Sequence, residues 1–444
     1  MKRREFLGAI GAAGAGALQA QSRKPNFIII YTDDQGYGDL GCYGSPEMKT
    51  PNIDKLAAEG VRFTDWHTNS PVCSPSRASV LTGKYPQHAG IPHILTSKPD
   101  FAVQGLRKGE TTLPGELKKL GYRTGAVGKW HLGSVPESKP MAQGFDEWFG
   151  FYSGWIDYYS HRYYTLGGTP VFHDLWRGDK EHFEDTTYQT EMLAREAKAF
   201  LNKQSAQQPF FLYLAFGAPH YPMMAPQKYV DRFPAEMDRD RRMHAAMIAA
   251  IDDAVGEVMA LLKSKGLDNN TVVFYQADNG ATLEARADHA GRTYRGGSNG
   301  KMRGYKGSLW EGGMRVPGIM RWPGKIKPQV NNGIGLAMDI LPTFLKWAGG
   351  EIPAGTDGVD ISPMILEGKR EVHDVVFWDY DTQRAARMGE WKLIQNYRDG
   401  LGMPMTKGEW LSNLKDDVSE TKDWSKEKPE IVSNLRDRLA SWKM

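Results

Sequence analysis

A chain of 444 residues with 56 Lys plus Arg against 53 Asp plus Glu carries a formal charge of +3. That near-balance gives no global case for a nucleic-acid partner or an anionic membrane surface, so any anion binding must be local. A 40% hydrophobic share at this length suffices for one large α/β domain and a smaller one. With only two cysteines, Cys42 and Cys73, a disulfide-rich scaffold is excluded, while a single Cys42–Cys73 bridge stays open.

The first twenty residues stand apart. Lys2-Arg3-Arg4-Glu5-Phe6-Leu7 precedes a Gly/Ala-rich apolar run from Gly8 to Leu18, and Ala20 offers a small residue for cleavage. This predicts an export signal of the twin-arginine type over residues 1–20, and a periplasmic or secreted mature protein. Without that signal the charge falls to about +1. No later stretch is apolar enough, for long enough, to span a membrane.

In chain order, Asn26–Tyr31 (NFIIIY) is a continuous apolar run of the kind buried on both faces of a parallel sheet, and it ends in Asp33-Asp34. Thr50–Gly60 predicts a helix with Thr50 as N-cap. Ser70–Lys84 predicts a loop feeding a short helix, with Ser74 as N-cap, Pro75 at its first position and Gly83 as its stop. Cys73 then lies just outside a helix N-terminus, where backbone N–H groups welcome negative charge, and Arg77 shares its face four residues on. On these residues alone, a structural cysteine and a nucleophile are equally good readings.

Three further apolar strands follow, Tyr122–Val127, Phe210–Phe216 and Thr271–Gln276. Polar residues come after each: Lys129 and His131, His220, and Asp278-Asn279. A helix is predicted over Arg241–Lys265. Between the second and third strands lies an aromatic-rich insertion, with Trp148, Phe149, Phe151, Tyr152, Trp155, Tyr158, Tyr159, Tyr163, Tyr164 and Trp176. It reads either as a sugar- or aryl-stacking surface or as a satellite hydrophobic cluster. Glu284–Lys306, with Arg286, Arg292, Arg295 and Arg303, predicts a long loop. From about residue 372 short alternating strands and a helix over Pro429–Trp442 predict a small antiparallel α+β domain. The expected division is a signal over 1–20, a catalytic domain over 22–370 and the small domain over 371–444. Four strand ends that deliver carboxylates, Lys, His and Asn argue for one site beyond the carboxyl ends of a mostly parallel sheet.

Asp33, Asp34, Asp278 and Asn279 form an all-oxygen set that favours Ca²⁺ or Mg²⁺ over zinc. Arg77, Lys129, His131, His220 and Lys306 add cations and proton-transfer groups. Together they suit a sulfate or phosphate ester.

Several segments carry a family resemblance. Cys73-Ser74-Pro75-Ser76-Arg77 with Leu81-Thr82-Gly83 resembles the sulfatase signature C-x-P-x-R…LTG, and Gly121–Gly133 (GYRTGAVGKWHLG) resembles the family's second signature. The Asp33-Asp34 pair, Asp278-Asn279-Gly280, the Lys306–Gly313 run with Arg315-Val316-Pro317, and Asn413–Asp417 with Glu420 match as well. The chain is identified on these motifs as a member of the formylglycine-dependent type I sulfatases.

That resemblance implies an alkaline phosphatase-like α/β fold, with a large, mostly parallel mixed sheet between helices. It also implies oxidation of Cys73 to Cα-formylglycine by a separate maturation enzyme. A Ca²⁺ ion, or Mg²⁺, would sit on Asp33, Asp34, residue 73, Asp278 and Asn279. One hydroxyl of the aldehyde hydrate, held by the ion and Arg77, would attack sulfur. Lys129 and Lys306 would hold sulfate oxygens, and His220 and Lys306 would assist departure of the alcohol. His131 would deprotonate the second hydroxyl. Ser153 matches a serine near the sulfate. The expected substrate is a sulfated glycan or small molecule, with aryl sulfates included and neighbouring anions suggested by the loop arginines. Three rival readings stand beside it: a phosphodiester or phosphonate monoester hydrolase of the same superfamily, a carbohydrate-binding protein without turnover, and a thiolate enzyme using unmodified Cys73.

Overall fold

The computed structural model describes residues 23–164, 171–284, 293–370 and 372–442. The expected export signal, Arg286 and Arg292 lie outside the described residues. Five strands run parallel side by side: β1 (Asn26–Thr32), β2 (Arg123–Lys129), β3 (Glu147–Phe151), β4 (Phe210–Ala215) and β5 (Thr271–Ala277). Their order is β5-β1-β4-β2-β3, at the centre of a ten-stranded sheet. Antiparallel Gly318–Arg321 flanks β5, and antiparallel Trp176–Arg177 flanks β3, so the sheet is mixed at its margins.

The apolar runs are continuous because both faces of these strands are covered. Ile28, Ile30, Leu212, Leu214, Val273 and Tyr275 pack under helices Gln189–Asn202 and Arg239–Ser264. Their neighbours Phe27, Ile29, Tyr31, Phe211, Tyr213 and Phe274 pack on the other face against Ala78, Leu81, Leu117 and Phe344. Those four residues belong to helices Cys73–Thr82, Leu113–Lys119 and Ile340–Ala348. A period of two in each strand thus serves two helix layers at once.

One expectation changes here. The first part of the aromatic-rich insertion is β3 itself, and Trp148, Phe149 and Phe151 are buried core residues. The strand was hidden because it is only five residues long, contains Gly150 and merges into the aromatic-rich stretch that follows. Trp176 likewise belongs to a short strand, paired between β3 and Lys180–Glu181.

Strands Val376–Tyr380, Gln383–Met388, Trp391–Tyr397 and Thr406–Asn413 form an antiparallel meander. Helix Pro429–Ser441 closes one face through Val432, Leu435 and Leu439. The other face docks Val376, Trp378 and Ile394 onto Leu309, Trp310 and Met338 of the main body. Beside that apolar seam runs a buried ionic network. Lys392 lies between Glu311 (2.8 Å) and Glu420 (3.0 Å), while Arg387 and Arg315 hold Asp65 (2.6 and 3.4 Å). Cys42 and Cys73 are both free, so the open disulfide does not form. Among the described residues no helix is long and apolar enough to cross a membrane.

Candidate active site

The sheet register brings the predicted residues together. Thr32 pairs with Ala277, Tyr31 with Ala215, and Ala215 with Gly128, so β5, β1, β4 and β2 end at one level. Asp33 and Asp34 leave β1, Asp278 and Asn279 leave β5, Lys129 closes β2, and His220 lies in the turn after β4. Asp34 and His131 both adopt left-handed backbone (φ 60° and 55°). Such strain in non-glycine residues is characteristic of sites that the surrounding fold over-determines.

Cys73 is the first residue of its helix rather than the residue before it. The N-cap position is Val72, in extended conformation (φ −146°, ψ 160°), and its carbonyl accepts the Ser76 N–H at 3.3 Å. Ser74 therefore does not cap the helix; its hydroxyl accepts the Leu95 N–H instead, at 3.1 Å. The correction strengthens the electrostatic argument, because Sγ lies within the first turn and its free N–H groups.

Arg77 is fully buried. Its Nη2 and Nε donate to Asp278 Oδ2 at 2.8 and 3.1 Å, and Nη1 donates to the Lys129 carbonyl at 3.3 Å. Lys129 pairs with Asp33. Lys306 donates to Asp34 (2.9 Å to Oδ1) and to Glu284 (3.0 Å). Asn279 Nδ2 donates to Asp34 Oδ1 at 2.7 Å. Three buried carboxylates are thus interleaved with three buried cations, an arrangement only charge pairing can sustain. Burial, against the pull of Lys306, raises the Asp34 carboxyl to about 7.

The two histidines carry readable tautomers. His131 Nε2 faces the Leu95 carbonyl at 2.9 Å. A carbonyl only accepts, so this nitrogen holds the hydrogen, and the buried Nδ1 is left with a lone pair and no hydrogen-bond partner. His220 Nδ1 donates likewise to the Tyr221 carbonyl at 2.8 Å, leaving a bare Nε2 at 3.5 Å from Asp34 Oδ2. Burial, reinforced by Lys129 for His131 and by Lys306 for His220, pushes both imidazoles well below their usual range. Both rings are therefore held neutral near pH 7, each with one ring nitrogen left as a lone pair.

The oxygen-rich set fits a hard cation. Asp33 Oδ1 and Asn279 Oδ1 are buried without a hydrogen-bond partner. Ligand atoms of Asp33, Asp34 and His220 lie within 4.8 Å of one another. His220 Nε2 stands 3.5 Å from Asp34 Oδ2, at the border of this set. Asp278 is turned toward Arg77 through Oδ2, and its Oδ1 accepts the Asp34 backbone N–H at 3.1 Å.

A cavity of about 270 Å³ opens over Cys73, bordered by His131, His220, Lys306, Glu284, Trp155 and Tyr163. Burial raises the Cys73 thiol above its usual range, with Lys129 and Lys306 opposing. Ser153 does not border this cavity. It lines a smaller adjoining one with His131 and Lys98, its N–H held by Asp174 at 2.7 Å. The next residue, Gly154, packs so closely on His131 that a Cβ would stand 2.8 Å from the ring. Trp155 and Tyr163 cluster with Tyr221 and Phe151 at the rim, so part of the aromatic segment borders the site and part is core.

The two described loop arginines, Arg295 and Arg303, do not line this cavity. Arg303 stacks 3.9 Å from the Trp310 ring centroid and pairs with Asp399, and Arg295 is exposed.

Two residues here have a part that their sequence setting did not indicate, Tyr158 being only one of the insertion's aromatics. Tyr158 donates to the carbonyls of Gly217 and His220 (2.9 and 2.8 Å) and so fixes the His220 turn. Glu284 reads in sequence only as the start of a loop.

Comparison with known proteins agrees with this geometry. The family model described as Sulfatase matches residues 25–350, and one described as N-sulphoglucosamine sulphohydrolase, C-terminal, matches 304–444. The chain is 36% identical over 403 residues to N-acetylgalactosamine-6-sulfatase of Rattus norvegicus, covering 87% of this chain and 73% of that one. It is 34% identical over 383 residues to human arylsulfatase A, covering 81% and 71%. Among solved structures, Ps i-CgsB in complex with k-i-k-neocarrahexaose superposes with a TM-score of 0.83 at 31% identity, over 95% of this chain and 93% of that one. The PsFucS1 sulfatase from Pseudoalteromonas sp. gives 0.76 at 28% identity, over 95% and 91%. With the signature cysteine, its arginine and the strand-end carboxylates gathered at one end of the sheet, and with matches along nearly the whole described chain, this protein belongs to the sulfatase family and is a sulfuric ester hydrolase.

Proposed function

We propose that this chain hydrolyses a sulfate monoester on a carbohydrate, using Cα-formylglycine made from Cys73 by a separate maturation enzyme, with a Ca²⁺ or Mg²⁺ ion. The observation that carries the reading is the setting of Cys73. It sits at a helix N-terminus, under a cavity rimmed by aromatic rings, with its thiol held protonated by burial. A thiol in that state is a poor nucleophile, so the thiolate alternative loses its main support. A hydrated aldehyde at residue 73 supplies an oxygen nucleophile and a second hydroxyl through which the enzyme is restored.

The chain's own residues then divide the work. Asp33, Asp34, Asp278 and Asn279 would hold the cation, which supplies Lewis-acid polarisation of the attacking oxygen. Arg77, locked by Asp278 one helical turn from residue 73, would stabilise the aldehyde hydrate. Lys129 and Lys306 stand ready to exchange their aspartates for sulfate oxygens and offset charge on the transferring group. His220 borders the cavity beside Lys306, where the leaving alcohol would be protonated. His131 Nδ1, a buried lone pair, accepts the proton of the second hydroxyl.

A sugar substrate is supported by the aromatic rim and by relatives whose names specify N-acetylgalactosamine-6-sulfate and a bound neocarrahexaose. The Arg3-Arg4 leader supports twin-arginine export, and such export of folded protein places maturation of Cys73 before it.

The test pairs chemistry with mass. Sulfate release is measured on defined sulfated mono- and oligosaccharides, aryl sulfate, phosphodiesters and phosphonates, with and without chelator. The peptide containing residue 73 is weighed in the same preparation. Sugar desulfation, lost on chelation and in Cys73→Ala, with an aldehyde at residue 73, is expected. Dominant phosphodiester turnover, or full activity with unmodified thiol, would overturn it.

A further inference from the structure

A second cavity, of about 640 Å³, lies away from the chemistry. It opens at the amino ends of β1, β4 and β5, where Asn26, Pro209 and Asn270 border it. The Cys73 cavity stands at the carboxyl ends of the same sheet. The seven residues of β1 set the two openings roughly 23 Å apart at the usual rise of a strand.

The walls of this groove combine rings with cations. Trp347, half-buried near the end of helix Ile340–Ala348, and Trp322, just past strand Gly318–Arg321, pack with ring centroids 5.2 Å apart at 50°. Phe344 backs Trp347 at 6.1 Å, so the pair is braced from the core. Arg23, Lys24 and Lys325 line the same groove and are exposed. The segment that carries the first two is fixed to the body. Lys24 Nζ donates to the Leu120 carbonyl at 3.0 Å, and the Lys24 carbonyl accepts from Asn270 Nδ2 at 2.9 Å. The volume falls in the range of ligand sites. A neutral sugar would call on the rings alone and a small anion on the cations alone. A sugar chain bearing sulfates uses both, through apolar contact with ring faces and charge-assisted bonds to the sulfate oxygens.

Resting on the sulfated-carbohydrate reading, we infer that this groove is a second, non-catalytic binding site for a sulfated glycan chain. The Trp322–Trp347 pair stacks on a sugar ring, and Arg23, Lys24 and Lys325 hold its sulfates. At the opposite end of the sheet from Cys73, the groove engages a separate stretch of glycan. It thereby keeps the enzyme at high effective concentration on a sulfated polymer, a gain that a monosaccharide cannot receive.

The test separates binding from turnover. Cys73→Ala enzyme is titrated calorimetrically with chondroitin 6-sulfate and carrageenan chains, their desulfated counterparts, polyphosphate and oligothymidylate. At least one sulfated chain is expected to bind. In the same background Trp347→Ala, and separately Arg23→Glu with Lys325→Glu, should each weaken that binding by about tenfold or more. Arg23 and Lys325 are exposed, so the charge-reversed variant keeps the fold and carries the test if loss of the Trp347 ring disturbs packing. With Cys73 restored, both variants should release sulfate from a sulfated monosaccharide within about twofold of wild type, since the two sites are far apart. Equal binding of desulfated chains, of polyphosphate or of oligothymidylate would overturn the inference, as would an affinity unchanged by charge reversal. Sulfate release from sugars without groove-dependent chain binding would overturn this inference alone. No release from any sulfated sugar by wild type would overturn the carbohydrate reading and this one with it.

Discussion

Lys392 offers the sharpest test of how the C-terminal sheet supports the site. Its ammonium is fully buried between Glu311 at 2.8 Å and Glu420 at 3.0 Å. Glu311 opens the turn that follows the Lys306 loop, and its own N–H donates to Glu420 at 2.6 Å. Lys392→Met keeps the volume and removes the charge. Glu311 retains His67 and Arg315 at 3.0 and 3.2 Å, but Glu420 keeps only neutral donors, the Glu311 N–H and Ser412 Oγ. Breaking a buried pair by deleting one partner costs about 3–5 kcal/mol, because the other charge is stranded. At about 2 °C per kcal/mol for a large chain, Tm should fall by roughly 6–10 °C.

The pH dependence identifies the cause. Burial already raises the Glu420 carboxyl, with Lys392 opposing, and loss of Lys392 raises it further. In the variant its folded pKa stands above the unfolded value of about 4.3, so the penalty is full above the folded pKa and fades as pH falls through it. Calorimetry at pH 8 and pH 5.5 should show the deficit shrinking at the lower pH. Adding Glu420→Gln to Lys392→Met should recover part of the loss, since the stranded charge is gone. A deficit under 2 °C at both pH values, or one that grows toward acid, would refute the reasoning.

Two more outcomes are expected. His131→Ala should lower kcat by about 10²- to 10⁴-fold while a first equivalent of alcohol is still released in a burst, since the lost base acts late; unchanged steady turnover would exclude His131 as that base. His373 donates to Asp339 at 2.8 Å, and although burial lowers its pKa, the carboxylate outweighs burial and raises it. Its stabilisation is therefore full below the unfolded value of about 6.5 and lost as pH rises through the folded pKa. The Tm gap between wild type and His373→Gln should be wider at pH 6 than at pH 9, and an equal gap would remove the ion pair from the account.

The central strands were legible because each is buried on both faces, and double burial writes an uninterrupted apolar run. The chemical inventory was legible for a related reason. Asp33, Asp34, Lys129, Asp278 and Asn279 each lie at or just past the end of such a run, and parallel strands have all their carboxyl ends on one side. Cys73 and Arg77 were legible through spacing, since four residues is one helical turn.

What the sequence could not decide depends on contacts between distant segments. β3 was hidden because its five residues, with Gly150 among them, merge into a longer aromatic-rich stretch, and only pairing with β2 sets its bounds. Helix entry at Cys73 rather than Pro75 goes with Leu95, whose N–H takes the Ser74 hydroxyl that was expected to cap. The proton inventory of His131 depends on the same residue's carbonyl. Arg303 looked like a substrate contact until Trp310, Trp410 and Asp399 claimed it. Glu284, with no local pattern to mark it, became part of the cavity wall only through Lys306. Local pattern thus determined which groups the chain carries and which strand ends present them. Protonation, pairing and access depend on partners from other segments, and those only the tertiary structure decided.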